Sequence, residues 1–260
     1  MMPKVEMSKK QSDAAGQKGC VAVIFAGGTG QRMNTRTLPK QFLELHGKPI
    51  LIYTLEAFER HPQIDGIVVV MLESWIDHTW QLADKYRITK LRKVVPGGES
   101  GQQSIFNGLS AAREIFSDDS IVLIHDGVRP LIDEDTITGN IESVRAHGTA
   151  ITVTPATETI TIKEEGGAVG DIIDRSRCEL ARAPQSFYLG DILAAHKKAQ
   201  EIEGGSDRFI DSASMMQYFG HKLYSVQGRP ENIKITTPGD FYIFRAMVDA
   251  MESSQIFGLS

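Results

Sequence analysis

The apolar positions of this chain follow two periods. Short continuous runs occur at Val21–Phe25 (VAVIF), Gly66–Leu72 (GIVVVML), Lys93–Val95 and Ile121–Ile124. Unbroken β-branched runs of that length suit strands covered on both faces, as in a parallel sheet. Between them, Pro49–Arg60 (PILIYTLEAFER), Trp75–Tyr86 and Ser104–Phe116 carry apolar residues at helical spacing. Strands alternating with helices predict an α/β domain with a mostly parallel, wound sheet. The pattern then changes. Ala150–Val153 predicts one more strand, but Thr157–Asp174 alternates Thr and Ile and contains Gly166-Gly167. That is hairpin chemistry, and it predicts an exposed β-arm that pairs with a second copy of the chain. Helices are expected again around Leu193–Ala199 and Ser212–Tyr218, then a strand at Lys222–Val226 and a helix after Pro238.

Residues Met1–Gly19 are rich in Lys, Ser, Gln and Gly without periodicity and read as a disordered leader. The expected organisation is leader 1–19, one domain over 20–250 with its arm at about 155–185, and a tail at 251–260. Composition narrows the partners. With 41% hydrophobic and 23% charged residues and a net charge of −5, the chain has an ordinary globular make-up. It has no overall basic field for nucleic acid. No apolar run approaches the roughly 20 residues of a membrane span. Its cysteines, Cys20 and Cys178, lack disulfide or metal spacing, so a reduced, cytoplasmic setting is expected.

Candidate chemistry starts at Val21–Lys40, where the first strand stops at Ala26-Gly27-Gly28-Thr29-Gly30 and is followed by Arg32 and Lys40. Clustered glycines let a backbone approach a ligand closely, and cations just beyond them suit a polyphosphate. Two common templates fail. A dinucleotide fingerprint from Gly28 meets Met33 at its third glycine, and a Walker A loop from Gly27 meets Arg32-Met33-Asn34. The first failure argues against a nicotinamide-dependent oxidoreductase. Two more strand ends are punctuated: Pro96-Gly97-Gly98-Glu99, with Ser104 nearby to read a base, and His125-Asp126-Gly127-Val128-Arg129-Pro130. In open α/β sheets ligands sit beyond the carboxyl ends of the strands. Asp126 suits Mg²⁺, and Arg129 suits a substrate phosphate or an ion pair with Asp126. His125 reads as structural. Lys234 becomes a phosphate ligand if its segment folds back on the first loop, and is otherwise an edge lysine. Asp174-Arg175 reads as a surface pair of little worth. No HExxH or GxSxG pattern appears. A phosphate monoester, already ionised near pH 7, needs no general base to act as nucleophile.

Taken in order, AGGTGQRM, LPKQFLEL, GGES…S, HDGVRP, DR…APQSF and ENIKITTP resemble the IspD/TarI-type cytidylyltransferases over residues 21 to about 250. The resemblance implies a Rossmann-like nucleotidyltransferase fold, a homodimer exchanging its β-arms, and CMP transfer from CTP to a polyol phosphate with Mg²⁺. It implies that Arg32, Lys40 and Lys234 hold the CTP phosphates and stabilise the transition state. The backbone of Ala26, the glycine loop, Gly98 and Glu99, with Ser104, would take the nucleotide. Asp126 would lie by the metal and sugar, Arg129 by the acceptor, and Thr159 and Arg175 of one subunit at the acceptor phosphate in the other. AGGTGQRM, HDGVRP, LPKQFLEL and Glu73-Ser74-Trp75 are closer to the ribitol-5-phosphate branch than to the methylerythritol-phosphate branch, which stays the alternative. Ala183, where Thr is usual, and Gly101, where Arg is common, depart from both branches. The intact set of Arg32, Lys40, Asp126 and Lys234 argues against a non-catalytic nucleotide-binding protein.

Overall fold

The computed structural model describes residues 16–28 and 38–257. The first strand, β1 (Cys20–Phe25), is followed by a two-residue hairpin of β2 (Glu44–Leu45) and β3 (Lys48–Pro49), then α1 (Ile50–Arg60) and β4 (Gly66–Met71). Next come α2 (Ile76–Lys85), β5 (Leu91–Pro96), α3 (Gly101–Arg113), β6 (Ile121–Asp126), α4 (Glu134–His147) and β7 (Thr149–Pro155). The arm is β8 (Ile160–Lys163) and β9 (Val169–Ile173), and the chain returns through β10 (Glu179–Tyr188). Helices α5 (Leu189–Gln200) and α6 (Ser212–Tyr218), β11 (Ser225–Gln227) and α7 (Pro238–Phe257) complete it.

The central sheet has the order β11-β7-β10-β6-β1-β4-β5. Strand β1 lies in its middle, parallel to β4 and to β6. Its residues alternate between two cores. Ala22 and Ile24 pack among α1, α2 and α4 residues such as Leu51, Phe58, Leu82 and Ile141. Val21 and Val23 pack among Leu109, Ala112, Ile192 and Met215 from α3, α5 and α6. This two-sided burial is why the run is continuously apolar. Gly108 sets the spacing of α3. A Cβ there would come within 2.6 Å of both Val23 Cγ1 and Val70 Cγ2. A third cluster joins Leu45, Ile50, Val128, Ile235, Phe244 and Val248, seating α7 against the ends of the sheet.

The wound α/β expectation holds, with four adjustments. Strand β10 was not expected as part of the sheet. It runs antiparallel to both β6 and β7, beginning at the pair Glu179↔Pro155, so the arm is shorter than 155–185. Helix α4 was also unexpected, although Asp133 caps it, Glu134 and Asp135 fill its first turn and Gly148 ends it in the left-handed region. Helix α3 starts three residues earlier than its periodicity suggested, capped by Ser100. At the ends, Gln17 already pairs with Phe116 inside the stretch read as leader, and α7 extends to Phe257 through most of the expected tail. Residues 1–15 lie outside the described residues.

Helix α5 buries His196 completely, and neither ring nitrogen has a hydrogen-bond partner among the described residues. Burial lowers its pKa to about 4. The unfolded chain, with a histidine pKa near 6.5, then binds more protons than the folded one between those values. Stability from this residue is complete above about pH 6.5 and is lost as pH falls toward 4. His196→Leu is expected to flatten the acid side of the stability–pH profile by up to about 1.4 kcal/mol per pH unit, read by urea unfolding from pH 4 to 7. An unchanged slope would contradict this account.

Candidate active site

Three strands of the sheet end together on one side. At the end of β1, the Ala26 N–H donates to Val70 O at 2.8 Å, and its carbonyl accepts from the Gln41 side chain. Both backbone groups of Ala26 are thus engaged within the protein. Gln41 is wholly buried, with Oε1 unpartnered among the described residues, and also reaches Met71 Sδ. It braces the glycine turn from below, a role the LPKQF motif alone did not disclose. Lys40 lies against that turn, its Cε 3.8 Å from where a Cβ of Gly28 would stand. Thr29, Gly30 and Arg32 lie outside the described residues.

After β5, Gly97 N–H donates to Met71 O and Gly98 N–H donates to Ser104 Oγ at 3.0 Å. Ser104 Oγ in turn donates to Ser100 O at 2.9 Å. Ser104 therefore holds the Gly98 loop in place, and its one remaining lone pair is what it can offer a ligand. Gly98 and Glu99 border a hollow shared with the loop at Gly204–Asp207.

Strand β6 ends in a cluster of buried charges. His125 and Asp126 are its last residues, both buried. Asp126 Oδ2 accepts from Arg129 Nε at 2.7 Å, and Oδ1 pairs with Lys234 Nζ at 2.7 Å. Burial alone pushes this carboxyl upward, but Lys234 and Arg129 more than offset it and hold the pKa below the ordinary value. Arg129, nearly as buried, also donates Nη1 to Asn232 O at 2.8 Å. The Lys234 side chain is 41% exposed and its Nζ lies 5.9 Å from the Phe25 ring, so one face is paired and the other open. The segment that delivers it is fixed by Ile235 N–H donating to Val128 O and by the burial of Ile235. Thr237 and Asp240 then cap α7 reciprocally. Lys234 is thus no edge lysine. It folds back to the end of β1.

His125 is shut away from solvent, its Nε2 at 3.2 Å from Arg129 O and its ring edge-on to Phe58. Burial lowers its pKa to about 4, so the imidazole is neutral near pH 7 and serves packing. Beyond Asp126 a cleft of about 540 Å³ opens between the start of α3, the β10 segment at Ala181–Ala183 and the loop at Asp207–Ser212. Arg129 and Lys234 line it. Arg182 and Asn232 were not singled out by sequence reasoning. Arg182 sits where the β7–β10 register skips between Ala181 and Gln185.

Thr159 and Arg175 are exposed on the arm and do not line this cleft within one chain. Arg175 donates to Thr157 O at 2.8 Å, while Asp174 accepts from Ser176. The two are not a surface ion pair.

Three comparisons bear on this arrangement. The family model for 2-C-methyl-D-erythritol 4-phosphate cytidylyltransferase (IspD) matches residues 20–250. A ribitol-5-phosphate cytidylyltransferase of Vibrio parahaemolyticus is 53% identical over 238 residues, covering 92% of this chain and 99% of that protein. One from Streptococcus agalactiae is 48% identical over 239 residues, with the same coverage. A 2-C-methyl-D-erythritol 4-phosphate cytidylyltransferase of Clostridium botulinum is 37% identical over 229 residues, covering 88% and 97%. Among solved structures, 4-diphosphocytidyl-2C-methyl-D-erythritol synthase from Anaerococcus prevotii superposes with a TM-score of 0.77 at 29% identity, covering 89% of this chain and 96% of that one.

Proposed function

The chain belongs to the IspD cytidylyltransferase family, and from that premise we propose that it transfers CMP from CTP to D-ribitol 5-phosphate, forming a CDP-polyol and pyrophosphate. The observation that carries the reading is the Asp126–Arg129–Lys234 constellation, set at the end of β6 beside the glycine turn and Lys40. A phosphate oxygen of the acceptor attacks the α-phosphorus of CTP, and the bond to the β-phosphate oxygen breaks. No side chain need take a proton, and the burial of His125 agrees with that. What the protein supplies is charge and orientation. Lys40, with Arg32, holds the triphosphate. Lys234, held and aimed by Asp126, meets charge that grows on the α-phosphate. Gly98, Glu99 and Ser104 accommodate the nucleoside.

A divalent cation fits this site. Mg²⁺ characteristically binds through one or two carboxylates together with substrate phosphates and water. Asp126 supplies one buried carboxylate with acceptor capacity beyond its two cation partners. When bound, the ion would neutralise phosphate charge. The active unit we propose is a cytoplasmic homodimer. Ile162, Val169 and Ile172 of the arm are 50–70% exposed, apolar surface suited to a second copy. Thr159 and Arg175 would then reach the acceptor phosphate in the partner's site. Unpaired cysteines agree with a reducing compartment.

Ribitol 5-phosphate is preferred over methylerythritol 4-phosphate because the relatives at 48–53% identity bear the former name, whereas a relative bearing the latter is 37% identical. Pyrophosphate release with CTP and Mg²⁺ should be measured against both acceptors side by side. Turnover is expected with ribitol 5-phosphate at the higher kcat/KM. Reaction with methylerythritol phosphate alone would reverse the preference, and no release with either would leave only nucleotide binding.

A further inference from the structure

Arg182 stands in the cleft without an assigned task. It lies on β10 where pairing to β7 skips between Ala181 and Gln185. Irregularities of this kind re-aim side chains beside active sites. The Arg182 side chain lines the same cleft as Asp126, Arg129 and Lys234. Nε donates to the buried Thr154 Oγ1 at 3.2 Å, and Nη1 reaches Asn232 O at 3.4 Å, the carbonyl that Arg129 also uses. Two guanidinium groups therefore converge on one carbonyl oxygen. Burial and then the like charge of Arg129 both oppose the Arg182 cation. Among the described residues no carboxylate forms an ion pair with it. Two of its five N–H donors are engaged, which leaves three for a ligand. A half-buried cation held beside another, with donors to spare, is arranged for an anion.

The strand order says which anion. Strand β6 separates β10 from β1, so Arg182 and the glycine turn lie on opposite sides of Asp126. Neighbouring strands are about 4.8 Å apart, which sets the β10 side roughly two strand spacings from the triphosphate loop. The anion on the β10 side is then the other reactant. We propose that Arg182 binds the phosphate of the polyol phosphate acceptor from within the same subunit, as a specificity-determining residue alongside Arg129. Its planar fork matches two phosphate oxygens at once, which a lysine would not do. The flanking Ala181 and Ala183 line the cleft without a side-chain hydrogen-bonding group, so Arg182 is the polar side chain that this stretch of the wall offers.

The inference rests on the cytidylyl-transfer reading, and the experiment separates the two. Initial rates of pyrophosphate release by the full chain with Mg²⁺ should be measured for the unaltered protein, Arg182→Ala, Arg182→Gln and Arg182→Lys, varying each substrate at saturation of the other. Loss of a charge-assisted contact is worth about 1.5–3 kcal/mol, or roughly 10- to 100-fold. Arg182→Ala and Arg182→Gln are expected to raise the acceptor KM by that factor while the KM for CTP moves less than about twofold. Arg182→Lys should fall between, and methylguanidinium should restore part of the Arg182→Ala loss, which a merely structural role would not show. An unchanged acceptor KM in Arg182→Gln, or equal rises for both substrates, would overturn the assignment while leaving cytidylyl transfer standing. No turnover by the unaltered protein with any polyol phosphate would overturn both.

Discussion

Lys234→Ala should lower turnover by about two to three orders of magnitude, the loss usual when one oriented donor to a developing charge is removed. The lysine is a point of asymmetry in the site. One side of its ammonium is bound to Asp126 at 2.7 Å and the other faces the cleft. That arrangement fixes the direction of the charge before substrate arrives, so no reorganisation is needed at the moment of transfer. The fold should persist, because Asp126 retains Arg129 and the backbone of the segment is tied by Ile235 to Val128 rather than by the lysine. Pyrophosphate release at saturating substrates measures the first claim, and a thermal melt within a few degrees of the unaltered protein measures the second. Near-normal kcat would remove Lys234 from the reaction.

Arg129→Ala should be the more damaging change for stability. Removing one partner of a buried ion pair typically costs about 3–5 kcal/mol, because the remaining charge is left uncompensated. Here the guanidinium serves Asp126 and the Asn232 carbonyl together. Asp126 would be left with only the half-exposed Lys234 and should titrate upward. The urea midpoint should drop accordingly. In a double-mutant cycle with Asp126→Asn, the combined cost should be less than the sum, since the second change removes the charge that the first exposes. Strict additivity would mean that the pair is not coupled.

Much of this architecture is legible in the sequence. The double burial of Val21–Ile24 writes a central parallel strand directly, because neither face can tolerate a polar residue. The clustering of Gly27-Gly28, Gly97-Gly98 and Asp126–Arg129 after strands likewise marks the edge at which the cleft opens. Other parts are hidden for physical reasons. Strand β10 reads ELARAPQSFY, in which Pro184, Gln185 and Ser186 break the apolar pattern. Those polar groups are satisfied in place, Ser186 by Asn140 and Gln185 by Asp211 and the Ala213 N–H. Helix α4 has only Ile137, Ile141 and Val144 as its apolar stripe, so its caps spoke louder than its periodicity. The family resemblance brings Lys234 to the phosphates, but neither it nor spacing announces the ion pair with Asp126. The role of Gln41 depends on a buried hydrogen bond that no residue pattern announces.

The tie between Arg129 and the Asn232 carbonyl spans 103 residues. During synthesis, at about 5–20 residues per second, the segment bearing Asn232 and Lys234 emerges roughly 5–20 s after the strand bearing Asp126. Throughout that interval the carboxylate has Arg129 as a neighbour but not the lysine, and Val128 lacks the cover of Ile235 and α7. The cleft-lining edge of the sheet is therefore completed late on the ribosome. A nascent chain can acquire its central strands well before it acquires a working charge centre.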